Sequence, residues 1–152
     1  GINIYWVDRN TLQLYWGIRD NNVNNVLVIK KVIHPHFPAI ALAINGSAFY
    51  WVDQNTLKMY YGEFKPWAES LEIKGSLLPN LSVATLAVEG HNLYWIDKAT
   101  SKLYKGTHFA QEVNKIEEIY NNIPIVAINI NNWNDVYWLN KETLNFDKGK
   151  IR

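Results

Sequence analysis

The sequence predicts an all-β protein made of four related units, each a four-stranded antiparallel sheet, and three observations lead to this prediction. The dipeptide Tyr-Trp recurs at spacings of 45, 44 and 43 residues. Each copy is followed by an aliphatic residue and then by Asp or Asn, with Thr three and Gly nine positions beyond. The segments between these landmarks are short, rich in aromatic and β-branched residues, and bounded by turn-forming residues, as strands are. The four copies are Tyr5-Trp6, Tyr50-Trp51, Tyr94-Trp95 and Tyr137-Trp138.

The start of the chain shows how each strand is predicted. Residues 4–7 are aromatic and β-branched and end at Asp8, whose side chain can accept hydrogen bonds from nearby backbone amides. Residues 12–16 begin by alternating apolar and polar side chains and stop at Gly17, and residues 26–29 form the next strand. Residues 39–44 are a continuous apolar run with small side chains, which we expect to be buried on both faces.

The later units repeat this order, with one ambiguous segment. The strand at residues 26–29 has a counterpart at residues 71–73, whereas residues 115–119 fit either a strand or a helical turn. The small-residue strand recurs at residues 83–88 and 125–130. We expect it to lie nearest the centre of the molecule. The Tyr-Trp strand should be second, with its Trp filling the gap between neighbouring units.

Four strands in about 40–45 residues is the period of a β-propeller. The repeat units are about 1–37, 38–81, 82–123 and 124–152, which form a single propeller or propeller segment of about three and a half to four blades. The prediction counts 14 strands, two short of four full blades, because the chain opens on a second strand and closes on a third. Three outcomes stay open: a small imperfect ring, a segment completed by other chains, or part of a larger propeller. Of these, we favour completion by another copy, because open ends expose apolar surface and strand edges.

These units resemble the YWTD repeat of the low-density-lipoprotein-receptor type of β-propeller. The matching pattern is Pro-x-x-x-Leu/Ile in an apolar strand, then Tyr-Trp-aliphatic-Asp, then an apolar strand ending at Gly. An aliphatic residue replaces Thr at the third motif position, and the last unit has Asn140 for Asp and Asp147 where the others have Tyr. The resemblance covers all four units. It implies an extracellular binding scaffold whose motif residues are structural and include no catalytic residue.

The composition excludes several classes of protein. Because none of the 152 residues is Cys, there is no disulfide scaffold, cysteine zinc site, iron–sulfur cluster or cysteine nucleophile. Lys+Arg 15 against Asp+Glu 14 leaves a formal charge of +1, so no overall field favours nucleic acid. The longest apolar run, residues 39–44, is far shorter than the roughly 20 residues that span a bilayer, so we expect no membrane insertion. The first residues do not form a signal peptide, which suggests either a cytoplasmic protein or a mature or excised piece of a longer one.

The polar residues of the sequence do not form a pattern that predicts an enzyme active site. The Asp or Asn after each Tyr-Trp strand occurs once per unit, too far from its counterparts to share an ion, so we expect turn caps at Asp8, Asp53, Asp97 and Asn140. The His residues lack a recurring acidic partner: His34, His36, His91 and His108. We therefore predict no metal, no cofactor and no enzymatic activity. Two sequons match the N-glycosylation pattern, at a rate expected by chance in an Asn-rich chain: Asn45 and Asn80.

Aromatic residues outside the repeated pair are the candidates for ligand binding: Trp16, Tyr61, Trp67 and Trp133. They stand at strand ends or in connections, where they either cover blade edges or offer flat surfaces to sugars and peptide side chains. The predicted function is a non-enzymatic scaffold that presents these aromatics to a protein or carbohydrate ligand. The alternative is a structural segment that completes a larger propeller, by self-association through its end blades or within a longer parent protein.

Overall fold

The computed structural model describes residues 2–20, 26–122, 124–131 and 134–151, and every regular element in them is a β-strand. Blade 1 consists of β1 (Ile2–Val7), β2 (Leu14–Asp20) and β3 (Val26–His34). Blade 2 consists of β4 (Ala39–Asn45), β5 (Ala48–Asp53), β6 (Met59–Lys65) and β7 (Ser70–Leu78). Blade 3 consists of β8 (Val83–Glu89), β9 (Asn92–Asp97), β10 (Leu103–Phe109) and β11 (Glu112–Tyr120). Blade 4 consists of β12 (Ile125–Ile130), β13 (Asp135–Asn140) and β14 (Phe146–Lys150).

The four sheets are arranged as four blades of a β-propeller, as the repeat period predicts. Within each blade the strands pair antiparallel with their neighbours in the sequence, so each blade is a simple meander. The small-residue strands β4, β8 and β12 are first in their sheets, and they pack against one another along the inner side of the molecule. The all-β prediction and the inner position of these strands are confirmed. No helix able to cross a bilayer occurs in the described part of the chain.

The hydrophobic core lies between consecutive blades rather than within any one of them. Three clusters of buried side chains join blade 1 to blade 2, blade 2 to blade 3, and blade 3 to blade 4. The repeated Trp faces the preceding blade: Trp51 lies with its ring centroid 4.8 Å from that of Phe37 in the connection from blade 1. The residues on either side of that Trp, Tyr50 and Val52, face the following blade and join the next cluster. This alternation wedges the blades together, as the sequence predicts.

The turn after each Tyr-Trp strand is held by its Asp or Asn. One carboxylate oxygen of Asp53, Oδ1, accepts hydrogen bonds from the backbone amides of Asn55 and Thr56, both at 2.8 Å. The same pair of bonds occurs at all four positions, so the predicted turn caps are confirmed: Asp8, Asp53, Asp97 and Asn140. These bonds lower the pKa of Asp8, chiefly through the amide of Thr11.

Two sequence expectations need correction or completion. The ambiguous segment at residues 115–119 belongs to strand β11, which is interrupted by a bulge: Lys105 pairs with Glu117 while Thr107 pairs with Asn114. The backbone of Lys115 is left-handed there, with φ 52°, so the side-chain alternation is broken and the sequence pattern is ambiguous. The expectation that the small-residue strands are buried on both faces is wrong, because Ile40 and Val126 are exposed. Each is the unpaired residue of a register shift between the inner strand and the Tyr-Trp strand beside it, so its side chain leaves the regular alternation.

Each of the two end blades has three strands instead of four in the described residues. Blade 1 begins with β1, which has no inner strand beside it, and blade 4 ends with β14, which has no outer strand beside it, in the described residues. No strand of blade 4 packs extensively against a strand of blade 1 in those residues. The described blades therefore form an arc with two free ends.

Candidate functional site

Antiparallel meanders put successive turns at opposite ends of the strands, which gives the propeller two faces. We call the upper face the one that carries the turns at residues 45–48, 65–70, 89–92 and 109–112. The lower face carries the Asp- and Asn-capped turns. The aromatic candidates and the cavities divide between these two faces and the core.

Trp67 is the most prominent side chain of the upper face. Its side chain is 79% exposed, more than any other large apolar residue in the described chain. The turn that carries it is tight, because the amide of Ala68 donates to the carbonyl of Lys65 (3.1 Å) and that of Glu69 to the carbonyl of Pro66 (3.2 Å). Proline at the start of a turn fixes φ and limits its conformations. The indole is therefore exposed but carried by an ordered backbone.

Ion pairs surround this turn. The Nζ of Lys31 in blade 1 lies 3.1 Å from Oε2 of Glu69, linking the turn to the neighbouring blade. Glu72 on β7 accepts hydrogen bonds from Lys65 and from Lys74, which lower its pKa to about 2. These carboxylates are occupied by lysines of the protein itself. The turn therefore offers a ligand one large apolar ring within a rim of charges that already pair with each other.

A second exposed aromatic ring lies on the corresponding turn of blade 3. Phe109 ends strand β10 and is 75% exposed. Its turn occupies the same place in blade 3 as the Trp67 turn does in blade 2. Sequence reasoning missed Phe109, because it lies outside the repeated motif and no periodicity distinguishes it from a buried Phe.

Tyr61 lies at the contact between blades 2 and 3, where it is half-buried. Its ring meets the imidazole of His108 edge-on, with centroids 4.7 Å apart. The hydroxyl of Tyr50 lies 2.9 Å from His108 Nδ1, and His108 Nε2 lies 2.9 Å from the carbonyl oxygen of Ala110. Burial lowers the pKa of His108. This group of polar aromatic side chains fastens two blades together near the upper face.

The remaining two aromatic candidates have different outcomes. Trp16 is only 9% exposed and belongs to the cluster between blades 1 and 2, where its Nε1 donates to Asn3 Oδ1 at 3.0 Å. Its position could have been inferred from alternation, because Trp16 follows Leu14 by two residues and Leu14 occupies a repeated core position. Trp133 lies outside the described residues.

The lower face carries shallow cavities beside its capped turns. One of them, of about 490 Å³, lies beside the inner strands and is bordered by Ile40, Leu57, Asp97, Lys98 and Lys141. Oδ1 of Asp97 is already engaged with the amides of Ala99 and Thr100 and with the Thr100 hydroxyl. No group of three or more His, Asp or Glu side chains in the described ranges is arranged to hold a metal ion. The carboxylate of Asp97 in this cavity therefore acts first as a turn cap.

Comparison with known proteins supports the fold. No family model matches the chain, and no curated protein matches it. Its structure is similar to the crystal structure of a protein from Lactobacillus plantarum, with a TM-score of 0.58 and 11% sequence identity. The match covers 97% of this chain and 52% of that one, so this chain spans about half the length of its structural neighbour. At this identity the similarity concerns the fold alone: four blades of a β-propeller.

Proposed function

We propose that this protein is a non-enzymatic binding scaffold that presents exposed aromatic rings of its upper-face turns to a protein or carbohydrate ligand. The observation that carries the proposal is Trp67, which is 79% exposed at the tip of an ordered turn. Removing a Trp ring from water when a partner binds is strongly favourable, and Trp is among the residues that most often dominate binding energy.

The setting of Trp67 supports a recognition role. Side chains on turns of a rigid scaffold are common sites of binding, because the scaffold fixes their positions at little entropic cost. Lys31, Glu69 and Lys65 around the indole provide charged groups that peptide or sugar hydroxyl groups can contact at the rim.

Phe109 offers a second contact of the same kind. Because its turn and the Trp67 turn belong to neighbouring blades and lie on one face, a single extended ligand can contact both. Two weak contacts made by one ligand increase the overall affinity without a strong individual site.

The proposal also includes membership of the YWTD-type propellers and an extracellular location. The four Tyr-Trp-aliphatic-Asp/Asn segments support assignment to the YWTD-type propellers, in which an extracellular binding role is usual. Turn caps at all four Asp or Asn positions agree with the structural part that the motif plays in that family.

The proposal is tested by screening the purified chain against a glycan array and a displayed peptide library. For the ligands recovered, Trp67→Ala should weaken binding at least tenfold, or by about 1.4 kcal/mol. Thermal unfolding should stay within a degree or two of the wild type, because the exposed indole makes few native contacts.

Ile73→Ala is the matched control, since Ile73 is an exposed apolar residue on β7 of the same blade but on the sheet rather than at the turn. Its binding should equal that of the wild type. Ligands that bind Trp67→Ala as tightly as the wild type would contradict the proposal, and so would a large loss of stability in that variant.

A further inference from the structure

The two ends of the arc carry apolar surfaces that we name by their residues. The leading face is the side of blade 1 turned away from blade 2, and it comprises Ile2, Ile4, Trp6 and Leu27. Alternation along β1 puts Ile2, Ile4 and Trp6 on one side of the sheet. Leu27 lies on the same side, because its side chain and that of Trp6 both lie against Gly17. The trailing face is the side of blade 4 turned away from blade 3, and it comprises Tyr137, Leu139 and Phe146. Tyr137 and Leu139 lie two residues apart on β13, and Leu139 pairs with Phe146 on β14. Each is the side of an end blade that no other described blade covers.

The trailing face corresponds, position by position, to surfaces that are buried inside the molecule. Phe146 occupies the repeat position held by Leu14, Met59 and Leu103 in the first three units. Those three side chains are 0%, 0% and 2% exposed, because the following blade packs on each of them, whereas Phe146 is 73% exposed. The same sequence position is therefore a core residue wherever a following blade is present.

The leading face shows the complementary relation. Leu27 lies beside the repeated Gly of blade 1, as Leu71 does in blade 2 and Val113 in blade 3. Leu71 and Val113 are 7% and 9% exposed, because the preceding blade packs on them, whereas Leu27 is 43% exposed.

Side chains from these two positions belong to one buried cluster at two of the three internal interfaces: Leu14 with Leu71 between blades 1 and 2, and Met59 with Val113 between blades 2 and 3. Within a cluster they lie near opposite ends of the strands, since Met59 begins β6 at the lower face whereas Leu71 pairs with Phe64 at the upper end. The faces that carry Phe146 and Leu27 are thus the two halves of one more interface of the same kind, located at opposite ends of the arc.

We propose that two copies of this chain join end to end, the trailing face of each packing on the leading face of the other, to close one ring. The proposal is independent of the ligand site, because both end faces lie away from the upper-face turns. Two copies give eight blades, at the upper end of the range found in propellers. The dimer then has two identical junctions, and in each one the trailing face of one copy packs on the leading face of the other. This is a closed arrangement with twofold symmetry.

The junction should be weaker than an internal interface. The inner strands make the most extensive contacts between blades, as β4 does with β8 and β8 with β12. Blade 1 has no such strand in the described residues, so the junction lacks this part of the interface. We therefore expect a dimer that dissociates on dilution in the micromolar range.

Sedimentation velocity over a hundredfold range of concentration tests the proposal. The wild type should shift from monomer to dimer as concentration rises. Phe146→Lys and Leu27→Glu each place a charge in both junctions, so each variant alone should raise the dimer dissociation constant at least tenfold. Circular dichroism and thermal unfolding report whether each variant keeps the native fold, and Ile116→Lys, an exposed change on β11 of the internal blade 3, should dimerise like the wild type.

Mixing the two variants is the decisive arm. One junction of the mixed dimer is then native on both faces, and the other carries both substitutions. The mixture should dimerise at concentrations where neither variant does alone. A monomeric wild type, dimers that survive either variant unchanged, no recovery in the mixture, or open polymers instead of dimers would each overturn the proposal.

Discussion

At the scale of single residues, His108 shows how one side chain can link two blades. The carbonyl oxygen of Ala110 can only accept a hydrogen bond, so the Nε2 that lies 2.9 Å from it must carry the proton. In the neutral ring Nδ1 is then an acceptor, and it receives the hydroxyl of Tyr50 at 2.9 Å. The fold thus selects one neutral tautomer of this histidine.

This arrangement predicts a pH dependence of stability. Burial lowers the pKa of His108, and it also lowers that of His34, so the folded chain binds these protons less readily than the unfolded chain does. Their stabilising effect is complete above the unfolded pKa of about 6.5 and is lost as the pH falls through and below it. Urea unfolding between pH 7.5 and 5 should show stability falling, and less steeply in His108→Gln. An equal slope in that variant would contradict this assignment.

Some single-residue features can be predicted from the sequence and others cannot. The caps at the four Asp or Asn positions follow from local chemistry, because a side chain two or three residues from the amides it binds needs no tertiary information. The exposure of Phe109 follows from no such local rule, because it depends on what packs beside the end of β10, and that is a tertiary fact.

At the scale of elements, the repeated Gly sets how closely strands can approach. A Cβ added at Gly62 would lie 2.6 Å from the backbone carbonyl oxygen of Glu72 on the neighbouring strand, closer than real contacts allow. A Cβ at Gly75 would meet only the Tyr61 ring, at an ordinary 3.4 Å.

The two glycines therefore predict opposite results in one blade. Gly62→Ala should lower the free energy of unfolding by roughly 1–3 kcal/mol, since β6 and β7 must move apart. Gly75→Ala should change it little, or raise it by about 0.5 kcal/mol through the unfolded state. Chemical denaturation of both variants checks this, and equal losses at the two positions would show that β6 and β7 do not pack as described.

Strand order and number follow from the repeat, whereas strand regularity does not. Each Tyr-Trp strand pairs in unbroken register with the strand that follows it. The pairings of the outermost strands β3, β7 and β11, and those of the inner strands β4, β8 and β12, instead contain register shifts. A bulge shifts alternate side chains from one face to the other, which explains why the pattern at residues 115–119 is ambiguous.

At the scale of the whole molecule, each blade contributes half of two interfaces. That rule follows from the repeat, and it explains why the core lies between blades. It also identifies the two halves that have no partner within the described arc, the leading and trailing faces. The sequence alone indicated that the end blades are incomplete, but the burial of equivalent positions was needed to show which side chains the ends leave uncovered.

Cross-linking tests the end-to-end ring most directly, because the chain has no cysteine of its own to interfere. The double variant Leu27→Cys/Phe146→Cys should form a covalent dimer with a bismaleimide that spans about 20 Å, because the two positions lie near opposite ends of the strands at one junction, and the dimer is seen on a denaturing gel. Mixed single variants should cross-link to each other, and neither should do so efficiently alone. Absence of the covalent dimer, or equal cross-linking by one single variant with itself, would contradict head-to-tail closure.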